Sequence, residues 1–560
     1  MSEAQPVDFD EVEESVGGGE DASVFRIRTA MGALVEAFGH GQAVARRGAR
    51  LGRELTKIAV GRSPVEPAKG DRRFADPAWS RHPVYHRLEQ SYLATVQAVD
   101  GVVEDLGRAV DPRRAAEAKF AADIVTAAFA PTNYLVTNPA ALKEAFDTAG
   151  LSLLRGTRNL ASDLVRNRAQ PSMVDRDAFT VGTDLAVTAG AVISRDEVAE
   201  LLQYAPSTEA VRSRPVLVVP PPIGRFYFLD LRPGRSFVEY TVGRGVQTFM
   251  LSWRNPSADQ GHWDLDTYGR RVLAAIDEIR DVTGSDDVNV IGFCAGGIIA
   301  TTVLNYLAAR GDGRVHSMSY AVTMLDFDDP ALLGAFSRPS LVRFAKGRSR
   351  RRGVISARDM GSAFTWMRPN DLVFNYVVNN YLLGRNPPAF DILAWNADGT
   401  NLPGALHGQF LDIFGDNLLV TPGAMTVLNT PVDLRAITVP TFVSGAVADH
   451  LTGWKACYRT TGLLGGESTF VLSFSGHIAS LVNPPGNPKA HYWEGGELGP
   501  DPEAWLAGAT KKSGSWWQAW ADWIIERSGP EIAAPTRLGN DRYPPLEAAP
   551  GRYVRDLPAT

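Results

Sequence analysis

The segment VNVIGFCAGGIIATTVLNYLAA, residues 288–309, contains no charged side chain. Its length would allow a membrane span, but three glycines, two asparagines and two threonines make it a poor one. A buried strand that runs directly into a buried helix produces the same apolar run. The turn between them falls at Cys294, with Gly292, Gly296 and Gly297 giving the backbone room for a sharp reversal. Such a strand–turn–helix has to sit at the centre of a sheet covered by helices on both faces, and it presents the central side chain at the strand end.

The flanking sequence supplies that sheet. PVLVVPP (215–221) and VQTFMLSW (246–253) are short β-branched or aromatic runs, a helix begins at Asp264, and SMSYAVTMLDF (317–327) follows the apolar segment. Alternation of this kind predicts parallel βαβ units. It breaks off for more than 100 residues and resumes at PTFVSGAVADH (440–450), so residues of about 328–438 are expected to form a cap over the strand ends. The fold class expected is α/β, an α/β-hydrolase fold with a cap (lid) insertion, preceded by an α-rich N-terminal domain. The boundaries read from the sequence are a disordered acidic tail over 1–23, a helical domain over 24–205, and a catalytic domain over 206–560. YHRLEQSYLATVQAV, RRAAEAKFAADIVTAAFA and RDEVAELLQYA are all read as helix.

In this fold the chain order is nucleophile, acid, histidine. Cys294 stands at the nucleophile position, Asp449 follows TFVSGAVA, and His477 follows STFVLSFSG. His477 would take the thiol proton and Asp449 would orient the imidazole. The neighbouring His450 is set aside, because residues adjacent in sequence rarely face one nucleophile. The other seven histidines have no comparable context. The backbone N–H of Ala295 is expected as one oxyanion donor and that of Ile223, in PPPIGRFY, as the second.

With 560 residues the chain needs more than one ordinary core, and a net charge of −6 gives no reason to expect nucleic acid. Two cysteines, Cys294 and Cys457, exclude a disulfide framework and fit a reducing compartment. The N-terminus has no secretory pattern, so a cytoplasmic protein is expected. Residues 25–60 have the spacing of an amphipathic helix, with Arg46, Arg47, Arg50 and Arg53 in its second half. Trp516, Trp520 and Trp523, beside Trp517, recur at helical spacing and read as a core-facing stripe. The basic run FAKGRSRRRG, with Lys346 and Arg348 to Arg352, reads first as a solvated loop, although a phosphate-bearing leaving group would suit it. No Walker, dinucleotide-binding or zinc-ligand spacing is present, and no bound cofactor or metal is expected.

From about residue 70 onward the chain resembles the long, single-chain polyhydroxyalkanoate synthases. The resemblance is carried by DRRFADPAWSRHPVYHRLEQSYL, PTNYLVTNPAALKEAF, FYFLDLRPGRSFVEY, FMLSWRNPS, GFCAGG, LAWNADGTNLPG, GAVADHLTGW and SGHIASLVNPPGNPK. It implies polymerisation of (R)-3-hydroxyacyl-coenzyme A thioesters, with Cys294 acylated, His477 as general base and Asp449 as the triad acid. It also implies a homodimer, a growing polyester chain and its granule surface as partners, and a place for Trp395 at the active-site cap and dimer contact. PPPIGRFY departs from the pattern, which has a tryptophan and an asparagine near Pro222 and Gly224. The resemblance accounts for sulfur at residue 294, since exchange of one thioester for another keeps the acyl group activated for attack by a hydroxyl.

Two other readings share these residues. A cysteine hydrolase of the thioesterase or dienelactone type would carry the same triad, but needs neither the long N-terminal region nor this cap. A non-catalytic granule-associated scaffold would have no reason to retain Cys294, Asp449 and His477 together.

Overall fold

The computed structural model describes residues 41–108, 112–167, 170–328 and 339–556. The acidic tail and the first part of the helix expected over 25–60 lie outside the described residues; the remainder of that helix is present as Gly41–Ala59. Helices Pro77–Arg81, Pro83–Gly107, Pro112–Ala128, Pro139–Asp147 and Leu151–Arg166 follow. Four of these begin with proline, which suits the first turn, and at Asp76 and Asn138 the cap side chain accepts a backbone N–H. Val102, Val103, Leu106, Phe120 and Ile124 bury their core, and Met367 from the cap joins it.

The central sheet has eleven strands: β1 Gly190–Arg195, β2 Ala199–Tyr204, β3 Val216–Val219, β4 Thr248–Trp253, β5 Val288–Phe293, β6 Val315–Ala321, β7 Thr441–Ala446, β8 Ser468–Ser473, β9 His491–Glu494, β10 Thr510–Ser513 and β11 Glu547–Ala548. Their spatial order is β10-β9-β8-β7-β6-β5-β3-β4-β2-β1-β11. Strands β4, β3, β5, β6, β7 and β8 are mutually parallel, and the outer ones are antiparallel. Every residue of β3, β4, β5 and β7 is buried, as a sheet covered on both faces requires. No helix among the described residues is long and apolar enough to cross a membrane. Residues 288–309 divide into β5 and the helix Ala295–Ala308.

Two expectations are corrected here, one at the end of the helical region and one in the cap. RDEVAELLQYA is not helical: it turns at Asp196, whose carboxylate accepts the N–H of Val198 and of Ala199 at 2.8 Å each, and continues as β2. The helical region therefore ends before residue 190, and β1 and β2 extend the sheet of the following domain. Ala, Glu, Leu and Gln favour helix locally, but β2 is flanked by β1 and β4, and all six of its residues are buried. Its Glu200 is accommodated by Arg195 Nε at 2.6 Å and by the N–H groups of Arg552 and Tyr553.

Between β6 and β7 lie helices Pro339–Arg352, Ala357–Trp366, Asp391–Ala397 and Gly404–Asp416, with wider π-type turns at Asn370–Phe374 and Val377–Leu382. The basic run is thus the end of a helix and not a loop, and much of its charge is matched: Lys346 meets Asp412 at 2.6 Å, and Arg348 and Arg352 meet Asp359. The N-terminal region also contacts this cap. Tyr381 donates to Asp163 at 2.8 Å, Gln170 to Ser362 at 3.0 Å and Arg73 to Asn370 at 3.1 Å.

Candidate active site

Cys294 lies between β5 and the helix Ala295–Ala308 with φ 50° and ψ −123°. A non-glycine residue in that region is strained and is held there only by its surroundings. Its N–H donates to Ala321 O at 2.9 Å, and its carbonyl accepts from Thr323 Oγ1 at 3.0 Å. The turn packs so closely on the end of β3 that a Cβ at Gly296 would collide with the carbonyls of Val219 and Pro220. The sulfur is left partly exposed at the strand end.

Asp449 follows β7, and His477 opens the short helix His477–Leu481 after β8. The structure brings both to Cys294. His477 Nδ1 lies 2.6 Å from Asp449 Oδ2, and His477 also hydrogen bonds to Cys294. Burial resists charging the imidazole, but the charges of Asp449 and Cys294, with hydrogen bonds to both, outweigh it and push His477 up to about 10. Burial likewise resists charge on Asp449, yet His477 and the donors from Thr452 hold it below the usual carboxylate range. His450 is held below the ordinary histidine range, first by burial and then by Arg368. It belongs to the cap boundary and not to the triad.

Thr452 is a site residue that sequence reading missed. Its hydroxyl donates to Asp449 Oδ2 at 2.6 Å, and its N–H, with that of Leu451, donates to Oδ1. The signal was present in ADHLT, an aspartate followed within three residues by threonine, the pattern of an Asp-initiated turn.

Of the two expected oxyanion donors, the Ala295 N–H is the first of its helix and has no partner within it. Ile223 is half-buried in the loop after β3, packed against the main core. Trp395 is buried in the cap and donates from Nε1 to Arg225 O at 2.7 Å, so it braces that loop. The four C-terminal tryptophans are buried, and two of them reach the site indirectly. Trp516 and Trp517 donate to the carbonyls of Ser480 and Leu481, at the far end of the helix that carries His477. Cys457 is fully buried, which raises its thiol well above the usual range, whereas Cys294 is partly exposed.

Residues 70–241 match the family described as poly-beta-hydroxybutyrate polymerase N-terminus, and residues 235–484 match the alpha/beta hydrolase fold. The chain is 45% identical over 508 residues to poly(3-hydroxyalkanoate) polymerase 1 of Ectopseudomonas oleovorans, covering 91% of this chain and 90% of that one. It belongs to the poly(3-hydroxyalkanoate) polymerase family. Polymerase 2 of the same organism is 46% identical, over 90% of each chain. The polymerase subunit of Cupriavidus necator is 40% identical, over 89% of this chain and 85% of its own. Like them, this chain is an acyltransferase-type enzyme built on the α/β-hydrolase fold. At the strand ends the fold places a partly exposed Cys294 beside His477, whose imidazole is held by Asp449.

Proposed function

We propose that this polymerase converts (R)-3-hydroxyacyl-coenzyme A thioesters to polyester through an acyl group carried on Cys294. His477 takes the thiol proton, and the thiolate attacks the thioester carbonyl. The resulting oxyanion is held by the N–H groups of Ala295 and Ile223. Its collapse breaks the bond to coenzyme A, whose sulfur leaves with the proton from His477. The hydroxyl of a second unit then gives its proton to His477 and attacks the Cys294 thioester. An oxoester forms, and the Cys294 sulfur is released and reprotonated. Asp449 keeps the imidazole oriented and stabilises its charged form throughout.

The observation that carries this reading is the hydrogen-bonded array of Cys294, His477 and Asp449 in a chain of this family. Sulfur suits the reaction, because loading exchanges one thioester for another and the acyl group stays reactive. Transfer to oxygen then runs downhill. The cap excludes water, which would otherwise compete for the acyl group. On this reading the enzyme works in the cytoplasm at the surface of the polyester granule, as a homodimer and without a bound cofactor.

Incubation of the purified protein with (R)-3-hydroxybutyryl-coenzyme A tests it. Polymer accumulating with free coenzyme A is the expected result. Free hydroxy acid without polymer would assign the chain a thioesterase activity instead.

A further inference from the structure

The loop between β3 and residue 226 carries the expected second oxyanion donor, but its own sequence, Pro-Pro-Ile-Gly, has few means of holding a peptide plane. Gly224 sits at φ +86°. The means come from the cap. Thr400, buried in the DGTN stretch after the helix Asp391–Ala397, donates its hydroxyl proton to Pro222 O at 3.2 Å and accepts the Gly224 N–H at 2.9 Å.

Pro222 C=O and Ile223 N–H belong to one planar, trans peptide, so a partner that fixes the carbonyl also fixes the N–H on the opposite side. The Ile223 N–H has no acceptor among the described residues, while that of Gly224 is taken by Thr400. One hydroxyl thus selects which of two consecutive N–H groups remains available. The neighbours of Thr400 fasten the same stretch of cap. Asp398 accepts Arg225 Nε at 2.7 Å and Tyr227 Oη at 3.0 Å, and Asn401 bonds to Asn255 and Pro256.

We infer that Thr400 is a positioning residue that completes the oxyanion hole only while the cap is docked. Lifting the cap frees the peptide between Pro222 and Ile223, so attack on an acyl carbonyl is fast only in the enclosed site. An acyl group on Cys294 is then protected from bulk water by geometry as well as by shielding. The inference rests on the acyl-enzyme reading above.

The Thr400→Val variant keeps the shape of the side chain and removes both bonds; Thr400→Ala serves if valine is not accommodated, and Thr400→Ser is the rescue. First-turnover acylation is followed with (R)-3-hydroxybutyryl-coenzyme A and, in parallel, with a p-nitrophenyl ester. Alkylation of Cys294 by iodoacetamide needs the activated sulfur but develops no oxyanion. Loss of one oxyanion donor lowers turnover by about 10²–10³. The expected result is a loss of that order in kcat on both acyl donors, with KM and the alkylation rate as in the parent and recovery in Thr400→Ser. Parent-like acylation in Thr400→Val, or alkylation slowed as much as acylation, would overturn the inference. Failure of the parent on the coenzyme A thioester alone would count against the substrate reading, while the p-nitrophenyl ester still reads Thr400.

Discussion

His477 Nδ1 and Asp449 Oδ2 are 2.6 Å apart with both side chains buried, and the Thr452 hydroxyl donates to the same carboxylate oxygen. The carboxylate is therefore held from two directions. Removing the Thr452 hydroxyl with Thr452→Val takes away one of the donors that keep Asp449 ionised, so the acid limb of the activity profile should move to higher pH. A hydrogen bond to a charged group contributes about 1.5–3 kcal/mol, and kcat/KM should fall roughly tenfold or more. Thr452→Ser should restore the profile. A pH–rate profile identical to that of the parent would show that Thr452 has no part in holding the acid.

The raised value for His477 has a consequence for stability. A group whose folded value lies above its unfolded one stabilises the fold fully below the unfolded value and loses that contribution as pH rises through the folded one. For His477 that window runs from about 6.5 to about 10, so denaturant stability should decline across it. In Cys294→Ala the sulfur that helps hold the imidazolium is gone. His477, followed by NMR, should then titrate below about 10.

The same Cys294→Ala variant should still fold, with its denaturation midpoint at neutral pH lowered by the lost support of the His477 imidazolium, and show no acyl-enzyme by mass spectrometry. Coenzyme A release at the parent rate from this variant would remove Cys294 from the mechanism.

Trp516 and Trp517 brace the His477 helix through Ser480 O and Leu481 O. Trp516→Phe keeps most of the ring and removes the N–H, at a cost of about 1 kcal/mol by thermal or chemical denaturation. Trp516→Ala empties a core position and should cost about 3–5 kcal/mol. Both should lower kcat, since the histidine depends on that helix for its position.

Gly296→Ala places a methyl group against the backbone carbonyls of Val219 and Pro220, which cannot swing aside as a side chain can. Overpacking of about 1–3 kcal/mol is expected, with acylation affected more than stability because the shift falls on the nucleophile turn. Rates of acylation and of denaturation, measured side by side, would show whether the two effects separate in that order.

Much of the site was legible in the chain itself. An uncharged run broken by glycines around Cys294 suits a strand, a tight turn and a helix better than a membrane span, and the chain order of Cys294, Asp449 and His477 matches one fold. These are local signals, set by periodicity and backbone permission. What the sequence could not determine depends on partners distant along the chain. RDEVAELLQYA has helix-favouring residues and became a strand because β1 and β4 flank it and bury all six residues of β2. Thr452 lies three residues from Asp449 and was within reach of a turn argument, but Thr400 meets Gly224 across a separation of 176 residues. The sequence determined which residues stand at the strand ends, because each of them is placed by its own strand and turn. Only the tertiary structure decided what holds them, because a hydrogen bond between a cap and a loop exists only once both have been packed on the same sheet.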